Sequence, residues 1–93
     1  MSQLTPFQAS AYLSDEETIH EFLTAALEDE NPDVFLQALT EAAKAHGMSR
    51  LARETGLGRE SLYKALAPGA KPRYDTVLKV LNALGIKLIA QRP

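Results

Sequence analysis

The sequence predicts an all-α fold: a compact bundle of five helices in one domain, followed by a short C-terminal stretch that could form an edge strand. Apolar residues recur at offsets of three, four, seven and eight, which is the helical period. Glycine and proline clusters divide the chain into helix-length segments. Ninety-three residues, 45% of them hydrophobic, suffice for one core and not for two.

Residues 1–13 read as a lead-in, with Phe7, Tyr12 and Leu13 as anchors onto the core. Ser14-Asp15-Glu16-Glu17 has the form of a capping box, in which Ser14 accepts from the Glu17 amide and Glu17 reaches back. Ile19, Phe22, Leu23, Ala26 and Leu27 then form the inward face of the first helix. Asn31 and Pro32 open the second, as cap and first helical residue. Its stripe is Phe35, Leu36, Leu39, Ala42 and Ala43, and Gly47 is the expected left-handed terminator. The third helix is short, capped by Ser49, with Leu51, Ala52 and Thr55 inward and Gly56 at its end.

Leu57-Gly58 is a tight turn, and the fourth helix runs from Arg59 to about Ala67 with Leu62, Ala65 and Leu66 inward. Pro68 to Pro72 is a loop. The fifth helix covers Tyr74 to Leu84, with Tyr74, Val77, Leu78, Leu81 and Leu84 as its stripe and Gly85 as terminator. Ile86 to Ala90 is rich in β-branched and apolar residues and too short for another helix. It can pair as an edge strand, or pack Ile86 and Leu88 back on the core.

The net charge of −2 excludes a uniformly basic nucleic-acid binder. The total conceals a division. Residues 1–46 carry −8 and residues 47–93 carry +6, which predicts two surfaces with different partners. There is no cysteine, so disulfides, thiolate metal sites and cysteine nucleophiles are excluded. No metal or other cofactor is expected. No apolar run reaches the roughly 20 residues of a membrane span, and the N-terminus lacks the basic and apolar regions of a signal peptide. His20 and His46 lie on separate helices with no nucleophile in reach, so an enzyme is not expected. His46 reads as a favourable charge at a helix C-terminus.

Function is most legible between Ser49 and Leu66. Two short helices flank a turn containing glycine. Ala52, four residues before Gly56, is small enough for a steep helix crossing; Gly56 supplies positive φ; Leu62 plugs the second helix into the core. This is the helix-turn-helix arrangement, whose second helix enters the DNA major groove. The chain then divides into the lead-in, an acidic helical pair (14–46), a DNA-binding half (47–85) and a tail (86–93).

With Leu62 inward, the candidate base-reading residues are Arg59, Glu60, Ser61, Tyr63 and Lys64. Arg59 suits guanine, Glu60 suits cytosine N4, and Lys64 suits phosphate. Glu60 and Lys64 also have the spacing of a surface ion pair, and Tyr63 can instead cover the domain edge. Ser49, Arg50, Arg53, Lys71 and Arg73 are the candidate phosphate contacts.

These strings resemble a known family, the HigA-like probable addiction-module antidotes, antitoxins with a helix-turn-helix of the Xre and phage-repressor (lambda repressor-like) class. The resemblance runs from about Phe7 to Leu88. It is carried by Ala11-Tyr12-Leu13 with Asp15-Glu16-Glu17, by Ala25 to Asp29, by Gly47 to Leu57, by Glu60 to Leu66, and by Thr76 to Leu81 with Leu84-Gly85. It implies a bacterial cytoplasmic antitoxin that neutralises a small basic RelE-like or HigB-like toxin, binds double-stranded operator DNA and represses its own operon as a homodimer. Two positions depart from the family pattern: Gly58 stands where Ser or Thr usually caps the recognition helix, and Arg73 where a small hydroxyl residue is common. The acidic half, with Glu16, Glu17 and Glu21 exposed on the first helix, is then the expected toxin-facing surface. Two other readings fit the same residues: a stand-alone transcriptional regulator without a toxin, and a helical protein-interaction module.

Overall fold

A computed structural model describes residues 15–92, and all structural statements concern these. Five helices follow one another: α1 (Glu16–Leu27), α2 (Pro32–His46), α3 (Met48–Thr55), α4 (Arg59–Ala65) and α5 (Tyr74–Ala83). The expected anchors Phe7, Tyr12 and Leu13, and the cap Ser14, lie outside the described residues. The all-α expectation holds. No described helix is long and apolar enough to cross a membrane.

The cap of α1 is Asp15, one residue later than the capping box placed it. Its Oδ1 accepts the Thr18 amide at 2.7 Å. That amide donation is the main cause holding the Asp15 carboxyl below its ordinary pKa. The α1–α2 turn is closed by Asp29 Oδ1, which accepts from the Asn31 amide at 2.8 Å. Asn31 in turn caps α2, with Pro32 at its first position as expected.

Helix α1 packs on α2, and α3 packs against α2, α4 and α5. The six largest fully buried side chains are Leu23, Leu39, Leu51, Leu62, Leu81 and Val80. Two expected core positions are corrected. Tyr74 is 69% exposed and Leu27 is 49% exposed, while Val80, outside the expected stripe, is fully buried. Tyr74 and Val80 flank the same arc of α5 on opposite sides, and it is the Val80 side that is buried. Leu27 is the last residue of α1, where no neighbouring element covers it.

Two helix termini also differ from expectation. Ser49 is not the cap of α3. Gly47 both ends α2 and precedes α3, with φ 105° and ψ 117°, outside the left-handed helical well expected for it. Helix α4 stops at Ala65, with Leu66 as its C-cap, two residues before the expected end.

The tail resolves the choice left open for residues 86–90. They form no strand; Ile86 is buried and Leu88 packs partly on the core. The cause is the end of α5. Gly85 has φ 78°, its amide donates to the Asn82 carbonyl at 3.1 Å, and the Ile86 amide donates to the Leu81 carbonyl at 2.9 Å. This pair of bonds is the Schellman motif, and it folds Ile86 back against the last turn of the helix.

Candidate nucleic-acid interface

The α3–α4 turn follows from three residues. Gly56 has φ 75° and ψ 4°, a conformation costly for any residue with a Cβ. The Thr55 hydroxyl donates to the Leu51 carbonyl at 2.7 Å and accepts from the Leu57 amide at 3.2 Å, bracing the turn on both sides. Gly58 is the cap of α4, extended at φ −66°, with no side-chain bond to the free amides. Ala52 is half-buried against the core and Leu62 is fully buried in it.

Arg59, Glu60, Ser61, Tyr63 and Lys64 are all exposed, on the part of α4 left free by Leu62. The Arg59 guanidinium lies over the Tyr63 ring, 5.6 Å from its centroid. Glu60 and Lys64 do not pair; the ion pairs among described residues lie elsewhere. The C-terminus of α4 is tied to α2 through Thr40. Its hydroxyl reaches the Leu36 carbonyl at 3.0 Å and the Leu66 carbonyl at 2.9 Å, sharing one proton between them. Thr40→Val keeps the shape and removes the donor. It is expected to cost about 1–3 kcal/mol of stability, because the half-buried Leu66 carbonyl loses its partner. Chemical denaturation measures this, and a loss within error of zero would mean water replaces the hydroxyl.

The five candidate phosphate contacts, Ser49, Arg50, Arg53, Lys71 and Arg73, are also all exposed. Two of them are engaged by acids. Arg50 Nε lies 3.3 Å from Glu54 Oε2, and Arg73 Nε lies 3.2 Å from Asp75 Oδ1. Ser49, Arg53 and Lys71 make no side-chain hydrogen bond or ion pair to another described residue. Glu16, Glu17 and Glu21 stand exposed on α1. The Glu16 carboxylate lies over Gly85, where an added Cβ would sit 3.5 Å from Oε1.

Nothing in the residue pattern points to the partner of His46. Its Nε2 meets Glu54 Oε1 at 2.5 Å, joining the end of α2 to α3. Hydrogen bonding from His46, ahead of the charges of His46 and Arg50, holds the Glu54 carboxyl below its ordinary pKa. A carboxyl lowered by folding adds stability above its ordinary pKa, and that stability is lost as pH falls through the folded value. Asp15 has the same sign. Unfolding free energy is therefore expected to fall on acidification below about pH 4, with a shallower fall in Glu54→Gln. Denaturation curves across that range check it; an identical slope in the variant would remove Glu54 as a cause.

The profile of a family described as "Probable addiction module antidote protein" matches residues 3–92. An uncharacterized protein of Haemophilus influenzae strain Rd is 39% identical over 90 residues, covering 97% of this chain and 93% of that one. No solved structure matches the chain. With the family pattern running through all five helices, the chain belongs to the probable addiction module antidote proteins.

Proposed function

We propose that this protein is the antitoxin of a type II toxin–antitoxin module. In this reading α3 and α4 form a DNA-binding helix-turn-helix that represses the module's own operon, and the protein neutralises a small basic RNA-cleaving toxin of the RelE/HigB type. The supporting observation is the exposed side of α4. Five groups able to meet bases or phosphates stand free of the core, beside a left-handed glycine turn, in a chain of the antidote family.

Arg59 and Tyr63 are the leading base contacts, and Glu60 and Ser61 extend the reading surface. Lys64, Arg53 and Lys71 contact phosphate directly; Arg50 and Arg73 do so after leaving Glu54 and Asp75. A homodimer belongs to the same reading, since one such helix reads few bases and two-fold operators match two-fold proteins. Exposed Tyr74 and Ile89 supply apolar surface for it.

The protein is expected to retard its own promoter fragment in a gel. If it neutralises roughly 6–10 phosphates, affinity should fall roughly 10³–10⁵-fold between 50 and 200 mM salt. No retardation of any duplex at low salt would overturn the DNA arm of the proposal. A sedimentation mass of one chain, with and without DNA, would overturn the dimer.

A further inference from the structure

A groove of about 580 Å³ runs between α2 and the end of α4 with its following loop. Its walls are mostly apolar, with Leu36, Met48 and Leu66 among them and Tyr63 at one edge. Glu41 also lines it. Glu41 is 8% exposed, the sole buried charged residue among those described. It makes no hydrogen bond or ion pair to another described residue. No buried side-chain oxygen among the described residues lacks a partner, so the Glu41 carboxylate opens onto the groove.

The Glu41 side chain packs among apolar neighbours, while its carboxylate reaches the groove with no counter-charge from another described residue. Neighbouring Ala38, Leu39, Ala42 and Ala43 are all buried, so a small or apolar residue would fit position 41 for stability alone. What a carboxylate supplies there is a counter-charge for a cation that arrives from outside. Asp33 adds a second negative group to the lining, and Lys44 is its one base, exposed and unpaired with Glu41. The groove is thus net negative. Phosphate is repelled, while a cationic side chain with apolar neighbours meets complementary charge and complementary walls.

We infer that this groove is the docking site for a toxin segment carrying an Arg or Lys beside apolar residues, with the Glu41 carboxylate as the counter-charge that docking would cover. The inference rests on the antitoxin reading above and places the main contact on α2. The acids of α1 contribute less: Glu16, Glu17 and Glu21 are exposed and hydrated, so pairing them gains little, whereas a pair in the groove is shielded from water.

The test uses the product of the reading frame adjacent to the gene, co-expressed, co-purified and titrated by calorimetry. Glu41→Gln is expected to weaken the complex about thirtyfold or more. Gln37→Arg sets a rival cation in the groove from an exposed position and is expected to weaken it at least about tenfold. The Glu16→Gln, Glu17→Gln, Glu21→Gln triple variant should stay within about threefold of the wild type. Both groove variants should unfold at the wild-type temperature and retain promoter binding, which separates docking from folding.

If the wild type binds and Glu41→Gln and Gln37→Arg both remain within about threefold, the groove is not the site and the antitoxin reading stands. If the wild type forms no complex with the neighbouring product, the toxin reading and the docking site fall together. A changed sedimentation mass of Glu41→Gln without any partner would assign the groove to a second copy of this chain and overturn the toxin assignment.

Discussion

Arg59→Ala is expected to weaken specific operator binding by roughly 1–3 kcal/mol, or about 5- to 150-fold, and to relax base preference at one position of each half-site. Arg59 is the first residue of α4, and in the proposed helix-turn-helix base contacts would concentrate at the N-terminal end of that helix. Its guanidinium is already ordered over the Tyr63 ring. At an exposed site that stacking is worth only about 0.5–1 kcal/mol. A bidentate pair with guanine exceeds it, so stacking orders the arginine without holding it back. Tyr63→Ala should therefore weaken binding less than Arg59→Ala does.

Lys71→Ala provides the contrast. Removing a cation that meets phosphate should weaken all sequences alike and reduce the salt slope by about one. Operator titrations at several salt concentrations separate the two behaviours. Unchanged specific affinity in Arg59→Ala would remove this residue from base reading.

The second large effect lies in the core. Leu51→Ala is expected to cost about 2–5 kcal/mol. Leu51 is fully buried at the middle of α3, the helix that packs against α2, α4 and α5 together. A cavity there is walled by rigid helices and cannot collapse easily. The loss is a large share of the roughly 5–15 kcal/mol that holds a domain together. Each kcal/mol lowers Tm by about 4–8 °C in a domain of this size. Leu27→Ala removes the same atoms from a half-exposed position and should lower Tm far less. Thermal unfolding followed by circular dichroism compares them, and equal shifts would contradict the assignment of Leu51 to the centre.

Much of the fold is legible in the sequence because its signals are local. Asn31-Pro32 starts α2 where expected, and Gly56 ends α3. Each depends on a residue's own backbone preference, which neighbours far along the chain do not change. The exposed set on α4 is legible for a similar reason: once Leu62 is inward, helical geometry fixes what faces out.

Features that the sequence misplaces depend on contacts between distant residues. Periodicity puts Tyr74 in the stripe of α5 and leaves Val80 outside, because it locates an arc and not which of its edges a neighbour covers. Glu41 is hidden within the apolar run of α2; an acid between Thr40 and Ala42 on an inward face is the signal that marks it. His46 reads as a charge at its own helix end, whereas it bonds Glu54 on the next helix.

Residue type and spacing alone specify an all-α chain, its five helices, the glycine turn before α4 and the change of charge sign near that turn. Backbone preference and helical period act within a few residues, so no partner element is needed to fix them. Two features emerge only when the helices assemble: Thr40 anchors the end of α4, and Glu41 stands unpaired in a groove. Each of these depends on which surface another element covers, and burial is a property of the assembled core, not of any segment alone.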